Sequence, residues 1–163
     1  MRILVATLVV AGCQAPQPFE VFIFVAHDCP VANAYAPEVA RLCHDYGPRG
    51  VSFKVVYADP DLTPEAARRH AAEYGFPCPT LLDSDFRVVK RTGVTKTPEA
   101  AVLDPRGTLL YRGRIDDLFP ALGTRRPAPT RRDLREALDA VLDGRPVPVA
   151  RTEPVGCDLK ESP

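Results

Sequence analysis

Short, almost wholly apolar runs alternate along this chain with longer segments whose apolar residues recur at helical spacing. Phe19 to Ala26 holds a single charged residue, Glu20, as expected for a strand covered on both faces. Pro30 to Tyr46 places Val31, Tyr35, Val39, Leu42 and Cys43 at helical intervals and stops at Gly47-Pro48. A second strand is predicted over Val51 to Ala58. Thr63 caps the next helix, Pro64 takes its first position, and Gly75 closes it after Tyr74. Thr80 to Leu82 reads as a short strand, and Phe86 to Thr92 as a short helix or turn. Glu99 to Leu103 and Thr108 to Ile115 flank Asp104-Pro105-Arg106-Gly107, a hairpin turn. Thr130 to Leu142 forms the last helix, with Thr130 as cap and Gly144 as stop. The pattern specifies an α/β fold, with a mixed central sheet flanked by helices and a C-terminal hairpin plus helix.

Charge removes one class of function. Lys+Arg and Asp+Glu both number 21 in 163 residues, a formal net charge of zero, which leaves no basic footprint for nucleic acid. At 45% hydrophobic the chain is not a disordered one. Met1-Arg2 and the apolar run Ile3 to Ala11 have the make-up of a signal-peptide core, too short to span a bilayer as a helix. That run ends Val10-Ala11-Gly12-Cys13, which resembles a bacterial lipobox with Cys13 as the lipid-accepting thiol. The alternative makes Arg2 to Val10 the first buried strand. Gln14-Ala15-Pro16-Gln17-Pro18 reads as a solvated tether and favours the lipoprotein reading. The expected organisation is then a signal peptide over 1–12, a tether over 13–18, a folded domain over 19–144, and a Pro-rich tail over 145–163 that carries Cys157. A mature chain starting at Cys13 would sit in the cell envelope, on the periplasmic side, touching the membrane only through its lipid. Gln14 favours the outer membrane. Cysteines in that compartment meet an oxidising milieu, so redox chemistry is the first reading of the other four.

Two places carry a family resemblance. Phe24-Val25-Ala26-His27-Asp28-Cys29-Pro30 ends a buried strand and opens a helix at a cysteine, and Pro37 follows eight residues after Cys29. Gly93-Val94-Thr95-Lys96-Thr97-Pro98-Glu99 leads later into the hairpin around Asp104 and Gly107. Together these resemble the thioredoxin-like fold, in the redoxin branch related to alkyl hydroperoxide reductase and TlpA-type proteins, over roughly Phe19 to Leu142. The resemblance implies that Cys29 is the first active-site cysteine, Pro37 a helix-kinking proline, and Pro98 a cis-proline facing the sulfur. Cys29-Pro30-Val31-Ala32-Asn33, Thr97-Pro98-Glu99-Ala100-Ala101 and Val155-Gly156-Cys157 are similar to a bacterial redoxin subgroup. Members of that subgroup are often fused to haem-c or copper-oxygenase-like domains, so a haem-c or copper protein is an expected separate redox partner. The implied activity is thiol–disulfide exchange with protein thiols, protein disulfides or small thiols, with no cofactor and no metal. Pro30, Thr97 and Arg114 are the expected substrate contacts.

Departures from the family narrow the mechanism. A dithiol thioredoxin needs a cysteine three residues after the first, and Ala32 stands there; its buried acid is replaced by Ile23. A peroxiredoxin needs Thr or Ser at Ala26 and Arg at Pro98, so ordinary peroxidase chemistry is not expected. Attack by Cys29 would therefore stall at a mixed disulfide unless another thiol resolves it. Cys43 lies about 21 Å along the same helix and cannot do so; it is expected in the core, as is Cys78 at the opposite end of the sheet. The tail after Gly144 can reach about 40 Å, enough to return Cys157 to Cys29. Glu99, Arg114 and Asp116 are expected at the Cys29 end, with Glu99 as an acid/base or a solvated carboxylate. His44 and His70 are expected on exposed helix faces. His27 with Cys29 leaves a copper-binding chaperone as an alternative function, and a redox-inert domain using the cis-proline groove is another.

Overall fold

The computed structural model describes residues 17–160, and the proposed leader and Cys13 lie outside the described residues. Its frame is a five-stranded sheet. Strand β1 (Phe19–Val25) runs parallel to β2 (Val51–Tyr57), and β2 runs parallel to β3 (Thr80–Leu82). On its other side β1 pairs antiparallel with β5 (Glu99–Leu103), which pairs antiparallel with β6 (Leu109–Gly113). The order is β3-β2-β1-β5-β6.

Both faces of β1 are covered, which is why it reads as an unbroken apolar run. Val21, Ile23 and Val25 join a large cluster with Val39, Leu42, Leu134 and Leu138, from the helices of one face. Phe22 and Phe24 point the other way, into a smaller cluster with Phe86, Val94 and Leu103. Among the described residues no helix is long and apolar enough to cross a membrane.

The first helical segment is divided. Helix α1 (Pro30–Ala34) ends at Tyr35, and α2 (Ala36–Tyr46) begins beyond it with Pro37 in its first turn. Proline has no N–H to return to the Asn33 carbonyl, and its ring crowds that carbonyl, so the helix must break there. Helix α3 (Pro64–Tyr74) starts as expected, with the Thr63 hydroxyl accepting from the Ala66 amide. Helix α4 covers Arg87–Thr92.

The last helix departs from expectation. Helix α5 spans Asp133–Leu142 without a side-chain cap. Thr130 does not cap it, because Asp117 captures Thr130 instead: its carboxylate accepts from the Thr130 amide and hydroxyl and the Arg131 amide. Burial alone would raise the Asp117 pKa, but these donors outweigh it and hold it at about 2.

Cys43 and Cys78 also correct the sequence reading. They are not separate core thiols but a disulfide, closing 35 residues with Cα atoms 6.7 Å apart. Helix α2 carries Cys43 away from the α1 end, and Cys78 enters the edge strand β3 at that same far end.

Beyond α5 the tail folds back along β6. The Arg112 amide donates to the Ala150 carbonyl at 3.0 Å, and the Thr152 amide donates to the Arg112 carbonyl at 3.1 Å. Gly113 makes this approach possible, since a Cβ there would stand 2.1 Å from the Thr152 hydroxyl oxygen. The tail then forms strand β7 (Cys157–Asp158), antiparallel to β4 (Lys96–Thr97), with Cys157 opposite Thr97.

Candidate active site

Cys29 occupies the cap position of α1, with extended backbone and its amide donating to the Ala26 carbonyl at 3.2 Å. Its sulfur is fully buried. The Thr97–Pro98 bond is cis, and the Cys29 thiol donates to the Thr97 carbonyl at 3.1 Å. Three expected site residues, Cys29, Thr97 and Pro98, therefore meet.

The tail brings the fourth. Gly156 lies flat on the Thr97–Pro98 segment, where a Cβ would stand 2.0 Å from the Thr97 carbonyl oxygen and 3.1 Å from the Pro98 ring. This packing brings Cys157 to Cys29, near enough for each thiol to shift the pKa of the other. Both cysteines are reduced. Burial pushes the Cys29 thiol up, yet the Cys157 side chain, the Ala32 amide, the Thr97 side chain and the Cys157 amide together pull it below its ordinary value. Donors to a thiolate stabilise the charged form, so their sum decides the sign. The Thr97 hydroxyl is buried and has no hydrogen-bond partner among the described residues while the Cys29 thiol donates to the Thr97 carbonyl. Cys157 moves the other way: burial, the bond to Cys29 and the repulsion of its negative charge push it up to about 12.

Beside the pair lies a cavity of about 160 Å³. Cys157, His27, Asp28, Asp59 and Lys160 line it, whereas Cys29 does not reach it. Pro30 is exposed at the first position of α1, on a wider groove shared with His27 and Asn33.

Other expected residues stand elsewhere. Glu99 is neither solvated nor beside Cys29: it pairs in register with Phe24 and faces the smaller core, on the opposite side of the sheet. Its fully buried carboxylate accepts from the Thr95 and Lys96 amides at 2.7 and 3.1 Å and meets Arg112 at 3.3 Å. That makes it a clasp for the loop before Pro98. Arg114 is held by Asp133 at 2.7 Å. Asp116 is buried and accepts from the Tyr35 hydroxyl at 2.6 Å.

His70 is buried rather than exposed. Its ring joins the Tyr57 hydroxyl at 2.8 Å and the Asn33 side chain at 3.0 Å, and burial lowers its pKa. The reading of the sequence missed this chain of contacts, and it missed Lys160. Lys160 pins the end of the tail to Asp59 at 2.7 Å. Among the described residues, His, Cys, Asp and Glu side chains nowhere gather in threes able to hold a metal.

A family model for redoxins matches residues 16–122. An uncharacterized conserved protein from Geobacillus kaustophilus is 33% identical, with a TM-score of 0.76 over 91% of this chain and 79% of that one. A hypothetical protein from Sinorhizobium meliloti 1021 is 29% identical, with a TM-score of 0.76 over 89% and 80%. A secreted Mycobacterium tuberculosis disulfide oxidoreductase, described as homologous to Escherichia coli DsbE, shares the fold at 19% identity, with a TM-score of 0.52 over 77% and 83%. No curated protein matches the chain.

Proposed function

The chain belongs to the redoxin family, and from that premise we propose that it is a thiol–disulfide oxidoreductase whose redox pair is Cys29 and Cys157. The observation that carries the reading is that Thr97, before the cis-proline, faces Cys157 across the β4–β7 ladder and accepts the Cys29 thiol at its carbonyl.

The pair works in sequence. The Cys29 thiolate attacks a substrate disulfide, forming a Cys29–substrate bond and releasing one substrate thiolate. Cys157 then attacks the Cys29 sulfur, forming the intramolecular disulfide and releasing the second substrate thiolate. Two electrons pass from the dithiol to the substrate. While Cys29 carries its charge, Cys157 stays a protonated thiol; once Cys29 is tied in the mixed disulfide, that repulsion is gone and Cys157 ionises more readily.

The compartment follows from cysteine use. The Cys43–Cys78 disulfide suits an oxidising milieu, which supports the proposal that Cys13 is acylated and anchors the protein in the cell envelope. Mass analysis of protein from the native membrane should show loss of the first twelve residues plus lipid; an intact Met1 would refute it. Protein or small thiols are the proposed partners, with a haem-c or copper protein as a candidate electron partner.

Turnover of a small disulfide tests the activity. Cys29→Ser should abolish it, whereas Cys157→Ser should make one stoichiometric mixed disulfide on Cys29 and stop. Unchanged multiple turnover in Cys157→Ser would overturn the pairing.

A further inference from the structure

We propose that the oxidised protein is reduced from outside at Cys157, by a small thiol entering the cavity beside the tail, with Cys29 as the buried leaving group. The inference rests on the Cys29–Cys157 pairing and adds to it the point of entry and the class of reductant.

Access decides the point of entry. Cys29 is fully buried beneath the tail, while Cys157 is partly exposed and lines the cavity. The edge of β4, where a protein substrate would add as a strand, is already taken by β7. The tail is fastened before Cys157 by the Thr152 amide on the Arg112 carbonyl, and again after it. Lys96 pairs with Asp158, the Leu159 amide donates to the Thr95 carbonyl at 3.0 Å, and Lys160 reaches Asp59 and Asp61 at 2.7 and 3.4 Å. A cavity of about 160 Å³ is the size that takes a benzene-sized molecule. It suits a two- or three-carbon thiol and shuts out a folded protein. Of the acids on its walls, Asp59 and Asp158 are held by Lys160 and Lys96, and Asp28 has no basic partner among the described residues, which favours a thiol bearing an amine, such as cysteamine.

The leaving group agrees. In thiol–disulfide exchange the sulfur with the better stabilised thiolate leaves faster, and the Ala32 amide, which stays in place while Cys157 carries the incoming thiol, stabilises the Cys29 thiolate. The incoming thiolate forms a bond to Cys157 as the Cys157–Cys29 bond breaks, and Cys29 departs as a thiolate. A second small thiolate attacks the first at its own sulfur, giving the small disulfide and releasing Cys157, which takes up a proton. Two small thiols and the protein disulfide become one small disulfide and the protein dithiol.

The test begins with protein whose Cys29–Cys157 disulfide has been confirmed by non-reducing peptide mapping; absence of that bond would defeat the pairing itself, not the point of entry. Oxidised protein is mixed with cysteamine, quenched with N-ethylmaleimide and mapped. Cysteamine should be found on Cys157 and maleimide on Cys29; the reverse distribution overturns the proposal. So does reduction by reduced thioredoxin as fast as by cysteamine at equal thiolate concentration.

Discussion

Cys29 is buried and still has a lowered pKa, because the Cys157 thiol, the Ala32 and Cys157 amides and the Thr97 side chain offset the cost of burial. Thr97 is the one most easily removed. Thr97→Val in a Cys157→Ser background keeps the shape and deletes the hydroxyl, so the pH profile of Cys29 alkylation should move to higher pH. Its rate at neutral pH should fall roughly 2–10-fold, the equivalent of one net hydrogen bond of about 0.5–1.5 kcal/mol. An unchanged profile would show that the hydroxyl does not serve the thiolate. At this scale the sequence was readable where a motif fixed the placement, as at Cys29, Thr97 and Pro98. It was not readable at Glu99 and His70. Their burial depends on which side of a sheet or helix meets a core, and neighbouring charges along the chain made both look solvated. His70 also carries a pH consequence. Its pKa is lowered by burial, so the unfolded chain takes up the proton first as pH falls below about 6.5, and stability declines there.

Elements bring the cysteines together. Gly156 has no room for a side chain against the Thr97 carbonyl, and the atom in the way is backbone, which cannot turn aside. Gly156→Ala should lift β7 from β4, expose Cys29 to alkylation by at least several-fold, and slow formation of the intramolecular disulfide. Alkylation at the wild-type rate would mean that β7 is held by other contacts. The Cys43–Cys78 link ties α2 to β3 and closes a loop of 35 residues. The double variant Cys43→Ala with Cys78→Ala should lose about 3–4 kcal/mol in urea unfolding, with activity kept at low temperature. Separate reasoning from the sequence put Cys43 far along its helix from Cys29, and Cys78 at the sheet end opposite Cys29. The two statements name one end, and the bond between them was available from that geometry. The Thr130 cap failed for a different reason: Asp117, thirteen residues earlier in the chain, competes for the same hydroxyl, and no local pattern shows that.

At the scale of the whole molecule, the proposed redox site is assembled from two distant parts of the chain. The β1–α1 turn supplies one sulfur and the tail the other, 128 residues apart. Length and proline content showed that the tail can reach this far, but its docking depends on Gly113, Gly156 and the free edge of β4, which only the assembled sheet presents. The most direct measurement of the central claim is non-reducing peptide mapping of the folded protein after mild oxidation, with free thiols alkylated beforehand in a parallel sample. The account predicts one new linkage, Cys29 to Cys157, formed within each molecule at any dilution and absent from Cys157→Ser, beside a Cys43–Cys78 bond unchanged throughout. Recovery of Cys29 and Cys157 as separate alkylated peptides after oxidation, with the tail still docked, would contradict it.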